Sequence, residues 1–360
     1  MLSEYGIEHR LVYNFLQKQT ISITKGEHLK NQDLINGAEA FLNELIEFQA
    51  WQDVDFLIAN LQHEGEAVKL GRVTFIVATK EELEQWEKHV KTFWPKEASK
   101  VQVIARLRAP GDHIKAISYA RAQVDLALDI LRAFCFPFGR HSDTWRVGIV
   151  GDITSWAYTP MRINNREFPT RIGARPALIE LRKHILSKLE QPQWELINKL
   201  ILKTRHTDME TKLLDGIHWL AESTKPDKNN SKFAKVSFAL EALIGGEPKK
   251  DEDLKVRGIT AMLAERAAFI TGGDYPDRLA IDKNVRKYYG MRSNIVHGGK
   301  GEVSVDDIDG FGQLVRRLAL ALLEKLDELT NELGNVEKLE KWAKKQRYTL
   351  PNKEALNAAG

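Results

Sequence analysis

From about residue 193 to 333 the chain offers six helix-forming segments, short loops between them, and no convincing strand. The segments read as 193–204, 208–223, 231–244, 252–271, 279–297 and 305–333. Their ends are punctuated. Thr207-Asp-Met-Glu210 has the spacing of a capping box, and Ser304-Val-Asp-Asp307 repeats it with Asp in place of Glu. Gly245-Gly246, Gly272-Gly273 and Gly298-Gly299 close three of the segments, as glycines past a helix C-terminus do. Amphipathic helices joined by short loops can bury their apolar stripes only against one another, which predicts an antiparallel bundle.

The preceding half has a different texture. VDFLIANL (54–61) and KLGRVTFIVAT (69–79) are rich in β-branched residues and end in polar turns, so each reads as a strand. KVQVIARLRAP (100–110) alternates and stops at Pro110, and WRVGIVGDIT (145–154) reads as a further strand. TKEELEQWEKHVKTF (79–93) opens with acidic residues and predicts a short helix. Residues 112–134 predict a long one, with Ile114, Ile117, Ala120, Val124, Leu128 and Leu131 recurring at threes and fours. The fold expected is therefore α+β: a mixed α/β domain over 1–188, an all-α antiparallel bundle over 189–335, and a basic tail over 336–360.

Composition excludes little. A net charge of +3 on 360 residues is mildly basic, so the placement of charge matters more than its sum. The one cysteine, Cys135 in AFCFPFG, cannot form an intramolecular disulfide, and its neighbours predict a buried, inert thiol. No run approaches 18 apolar residues, and MLSEYGIEHR lacks the apolar core of a signal peptide. A cytoplasmic, reducing setting is the expectation. Two stretches are basic: residues 160–188, which include Arg171, Arg175, Arg182 and Lys183, and the tail from 337 to 347. The first is a candidate track for an RNA backbone, or a solvated linker and helix face. Arg171 and Arg175, beside Gly173 and Pro176, are expected in a loop, and the tail is expected to be loose.

Chemistry concentrates in the bundle. In the fifth segment Ile281, Val285, Tyr288, Arg292 and Ile295 form one stripe with an arginine in its middle. The fourth has the same oddity at Arg266, within Ile259, Met262 and Phe269, and the third carries one charge, Glu241, in VSFALEALI. A guanidinium keeps its charge in a protein, so it must be paired or face a polar cavity. A buried ion pair of Glu241 with Arg266 or Arg292 meets that demand structurally, and buried pairs are poor stabilisers, which leaves function open. His297 follows Arg292 by five residues. On an ideal helix the two lie about 140° apart, so they share a face only if the last turn loosens or a two-fold axis brings two helix ends together. Ser293 and Asn294 lie on the side of His297. Tyr289, about 60° round the helix from Arg292 of the stripe, is a candidate base-stacking ring. The same spacing recurs at Arg108 to His113, but Pro110 and Gly111 place that copy in a turn.

Three blocks, DGIHWLAES with KFAKVSFALEALIGG (215–246), TAMLAERAAFITG (260–272) and KYYGMRSNIVHGG (287–299), occur in an order and spacing that resemble the HEPN superfamily, closest to its Apea-like branch. The resemblance covers roughly 193–333; the first half resembles the N-terminal part of some Apea-like proteins only loosely. It implies a metal-independent, cofactor-free endoribonuclease working as a homodimer in intracellular, anti-phage defence. The motif arginine and histidine fall on Arg292 and His297, with Ser293 and Asn294 following the arginine where many catalytic members carry a polar or acidic residue. Glu241 and Arg266, in the other two blocks, are read as supports for Arg292. The implied partners are RNA, with tRNA or other single-stranded RNA as candidates, a second copy of the chain, and a phage-derived trigger or protein regulator sensed by the first half. Two alternatives stand beside it: a non-catalytic HEPN-type dimerisation and binding module, and a toxin held by an antitoxin.

Overall fold

The computed structural model describes residues 51–90, 103–111, 113–139, 147–150, 157–163, 166–172, 179–186, 188–246, 258–298 and 302–333, together with 17, 152, 339, 342–343 and 345–346. The fold is α+β, with ten helices among these residues.

The main sheet is antiparallel, in the order β3-β4-β5-β1-β6, from β1 (Gln52–Ala59), β3 (Val68–Leu70), β4 (Val73–Val77), β5 (Val103–Ala109) and β6 (Gly148–Ile149). Alternation divides its faces. Leu57 and Ile104 meet Leu83 and Trp86 of helix α1 (Lys80–Val90). Asp55 and Arg106 sit opposite each other in register, Arg106 donates to both Asp55 oxygens at 2.9 and 2.8 Å, and it reaches Glu82 of α1 at 2.8 Å. The other face, with Ile58, Phe75, Val103, Ala105 and Leu107, joins the main core, where helix α2 (His113–Cys135) lies.

The stretch 69–79 is a hairpin rather than one strand. Gly71, at φ +61°, turns the chain between β3 and β4, and an added Cβ there would meet Ile201 at 2.7 Å. The basic stretch is also not a linker throughout: β7 (Ala157–Ile163) and β8 (Arg166–Ile172) pair antiparallel, with Pro160 opposite Pro169. Arg171 therefore lies in a strand, not a loop, while Arg175 is outside the described residues. A short parallel pair joins β2 (Leu61–Gln62) to β9 (Ile179–Glu180), which leads into α3 (Leu181–Leu186).

The bundle follows as α4 (Gln191–Leu202), α5 (Asp208–Thr224), α6 (Asn229–Ile244), α7 (Ile259–Thr271), α8 (Tyr275–Gly298), α9 (Val305–Glu324) and α10 (Leu326–Leu333). No strand occurs among the described residues after Glu180. Both predicted caps form. The Thr207 hydroxyl and the Glu210 carboxylate each accept from the other's backbone N–H, and Ser304 accepts from the N–H of Asp307. The last predicted segment is two helices, broken at Lys325 (φ −93°, ψ 6°). Gly216 lets Leu243 of α6 lie against α5, and Tyr288 stacks on Phe311 with centroids 4.9 Å apart. No helix among the described residues is long and apolar enough to cross a membrane.

Helix α2 belongs to both halves. Its buried seam runs through Ala116, Ala120, Val124, Ala127, Leu128 and Leu131. Ile114 and Ile117, expected in that seam, are 63% and 49% exposed, because the seam starts at Ala116 and Ile114 lies about 200° round the helix from it. At the C-terminus of α2, Arg316 of α9 donates to the carbonyls of Ala133, at 2.7 Å, and of Phe136, and lies over the Phe138 ring. That satisfies end carbonyls that have no helical partner. Cys135 is buried beside this contact, and burial pushes its thiol up to about 12.

The tail is not wholly loose. Leu339, Trp342 and Ala343 are buried and extend the same core. Truncating Trp342 to Ala is expected to destabilise the chain by about 3 kcal/mol in urea denaturation; a loose tail would give a change under about 0.5 kcal/mol.

Candidate active site

Three of the predicted residues converge. Glu241 comes from the last turn of α6, Tyr289 and Arg292 from α8. Arg292 Nη2 lies 3.3 Å from Glu241 Oε1. Tyr289 donates its hydroxyl to the same oxygen at 2.8 Å, and the Arg292 guanidinium sits 5.5 Å from the Tyr289 ring centroid. Arg292, not Arg266, is thus the partner that the apolar helix supplies to Glu241. Tyr289 is 6% exposed, with its hydroxyl and one ring face engaged, so it supports the arginine instead of offering a ring to a base. Burial first, and the bond to Glu241 second, push the Tyr289 hydroxyl up to about 12.

The pair is not a sealed structural bridge. The side chains of Arg292 and Glu241 are 21% and 28% exposed, the contact is single rather than forked, and Arg292 Nε is buried with no hydrogen-bond partner among the described residues. A half-exposed ion pair contributes about 0–1 kcal/mol, whereas a buried donor left unpaired costs about 1–3 kcal/mol. On those magnitudes the ion pair does not offset the unpaired Nε.

Arg266 is buried on α7 and donates from Nη1 to the carbonyl of Ile244 at 2.7 Å, at the end of the helix that carries Glu241. It holds the C-terminus of α6 and has no direct contact with Arg292 among the described interactions. Ser293 and Asn294 are exposed on α8, about 100° and 200° round from Arg292. The helical backbone continues through His297 to Gly298, so the last turn does not loosen within one chain; the His297 side chain is outside what the structure describes. Arg182 and Lys183 are exposed on α3, and Arg171 is on β8. Among the described residues no group of three or more His, Cys, Asp or Glu is placed to hold a metal ion. The second copy of the spacing falls in a turn as expected, with Gly111 at φ +103° between β5 and α2.

Sequence reading missed one polar cluster. Asp129 of α2 accepts from Arg132 Nη1 at 2.9 Å and lies 2.8 Å from His218 Nδ1 on α5, and Arg132 also donates to the carbonyl of Val147 at 2.8 Å. The signal was present: Asp129 is a lone carboxylate in LALDILRAF, as Glu241 is in its own helix.

The hydrogen bond to Asp129 raises the His218 pKa, with burial opposing it. A raised folded-state pKa contributes stability below the unfolded value of about 6.5 and loses it as pH climbs through the higher folded value. Comparing His218→Gln with the parent from pH 5 to 9, the parent's advantage in Tm should be greatest near pH 5–6 and shrink at higher pH. A constant difference would mean the bond does not titrate. At the site itself, Glu241→Gln should lower the Tyr289 pKa in a difference absorbance titration yet leave it above the ordinary value near 10, because burial is the larger cause.

No family model matches this chain, and neither a curated protein nor a solved structure is significantly similar to it.

Proposed function

We propose that this chain is a metal-independent endoribonuclease of HEPN type, an effector of intracellular defence that acts as a homodimer. The observation that carries the reading is the setting of Arg292: a permanent cation in an apolar stripe, one-fifth exposed, held by one carboxylate oxygen and the Tyr289 ring, with a buried Nε that no described residue satisfies. That arrangement is expensive as architecture and useful for gripping an anion. Tyr289 and Glu241 orient the guanidinium; a phosphodiester has the non-bridging oxygens to take its donors in a forked geometry. The resemblance supplies the biological role, the homodimer and the trigger, a phage product or a protein regulator acting through the first half.

The chemistry follows from RNA itself. A base removes the proton of the 2′-hydroxyl, the 2′-oxygen bonds to phosphorus, the P–O5′ bond breaks, and the leaving 5′-oxygen takes a proton. The products are a 2′,3′-cyclic phosphate and a 5′-hydroxyl. His297 is the proton-transfer group in this reading, and Arg292 stabilises the charge that builds on the phosphoryl oxygens. Because the two stand about 140° apart on a continuous helix, the site is composite, with Arg292 of one protomer and His297 of the other meeting across a two-fold axis.

A second reading draws on the same pair. Glu241 already occupies one edge of the guanidinium, which suits a non-catalytic module that dimerises and binds RNA or protein. The readings separate in one experiment: purified chain with RNA in EDTA, beside His297→Ala. The enzyme reading expects cleavage with 2′,3′-cyclic phosphate ends that falls at least about 100-fold in the variant. Inertness of both, across several RNAs and with candidate triggers added, establishes the module instead.

A further inference from the structure

The strongest unassigned feature lies far along the chain from Arg292, where the sheet meets the first bundle helix. A half-open cavity of about 220 Å³ runs between the start of β3 and helices α3 and α4. Val68, Ile185, Leu189 and Trp194 give it an apolar lining, and Lys69 and Arg182 are exposed on it. Among the described residues neither cation has a carboxylate partner. The acid nearest in sequence to Arg182, Glu180, is spent elsewhere: it accepts from the backbone N–H groups of Arg182, at 3.3 Å, and Lys183, at 2.5 Å, capping α3. Lys183 and Lys188 add exposed positive charge on the same segment.

The walls are fixed. His63 is fully buried and bonds the Glu66 carbonyl at 2.5 Å, holding the loop that leads into β3. Across from it, the Gly71 N–H donates to Asn198 Oδ1 at 2.7 Å, and Arg72 donates to the Leu202 carbonyl at 3.2 Å, so the β3–β4 hairpin is tied to α4 at its turn. A groove tied at the hairpin turn, with an indole in its lining and two cations that no described carboxylate pairs, is preorganised for a ligand that is planar at one end and doubly anionic at the other.

The geometry points to a binding site for a nucleoside 5′-monophosphate in this groove. The base lies against Trp194, the phosphate is taken by Lys69 and Arg182, and Glu66, the one carboxylate in the lining, accepts from sugar hydroxyls. The cavity is smaller than the roughly 300–1,000 Å³ of pockets that enclose a ligand, so the nucleotide is held with one edge in water. The groove is formed by β3 and α3 from the first half and α4 from the bundle, which makes nucleotide binding a means by which the first half senses a ligand. This inference stands independently of the ribonuclease reading, and neither fails with the other.

Titration calorimetry on the full chain at low salt tests it, with AMP, GMP, CMP and UMP as probes and inorganic phosphate, the four nucleosides and 5′-phosphorylated trinucleotides as controls. The expected result is saturable binding of at least one mononucleotide, at least about tenfold tighter than its nucleoside or phosphate alone, and weakened about tenfold or more by Arg182→Glu and by Trp194→Phe. Arg182 is exposed, so its variant keeps the fold, which circular dichroism verifies. Three results would overturn the proposal: no saturable heat from any mononucleotide at millimolar concentration, affinities that follow charge alone, or binding that survives Arg182→Glu. Binding of a phosphorylated trinucleotide without any mononucleotide overturns it too, and reassigns the groove to the end of an RNA strand.

Discussion

Helix α2 is buried on two sides, and the rest of the architecture depends on that. One side faces the sheet; the other meets α5, where Asp129 and His218 bond across the boundary between the two halves. The seam is rich in alanine, at 116, 120 and 127, so the backbone can approach its neighbours closely. Such a helix must also satisfy its polar ends inside the protein. Arg316 does so from α9, reaching the carbonyls of Ala133 and Phe136, and burial lowers its pKa to about 10. The main apolar core is consequently one body from Ile58 to Ala343, with Leu57 and Ile104 forming a smaller cluster under α1. A ligand or partner that acts on the sheet side is mechanically connected to the bundle through this helix.

Arg292 violates the logic that governs α2. Arg316 is half-buried and Arg132 buried, both are bonded to carbonyl oxygens, and Arg132 also pairs with Asp129. Arg266 is buried and caps α6. Arg292, by contrast, keeps a fifth of its side chain in solvent and meets a single carboxylate oxygen. The local forces balance near zero or against the fold, so its place in an apolar stripe wants another explanation. Anion binding is one, because an incoming phosphate completes the donor set that the protein leaves incomplete.

Much of this was legible in the sequence. The helices from Gln191 onward were written in period and punctuation, since Thr207, Ser304, Gly245 and Gly272 act through local geometry alone. The Glu241–Arg292 pair was legible too, as one of two options; choosing between Arg266 and Arg292 required the tertiary position of the α6 terminus. Other features were hidden for physical reasons. Pro160 and Pro169 disguised the β7–β8 hairpin, though Asn164-Asn165 between two alternating runs is a hairpin signal. Gly71 split one apparent strand into two because a left-handed residue reverses the chain without interrupting the β-branched run. The burial of Trp342 was masked by the lysines around it, which report solvent on one side of the segment and say nothing of the other. Ile114 and Ile117 matched the helical period yet face out, since periodicity gives a stripe but not where its partner begins.

The central claim is that Arg292 is retained for catalysis and not for architecture. The direct measurement is the single-turnover RNA cleavage rate per folded molecule in Arg292→Ala, taken together with urea stability on the same preparation. The account predicts a rate lower by at least about 100-fold with stability changed by no more than about 1 kcal/mol. A variant that loses several kcal/mol of stability, and whose remaining folded fraction cleaves at the parent's rate, would contradict it.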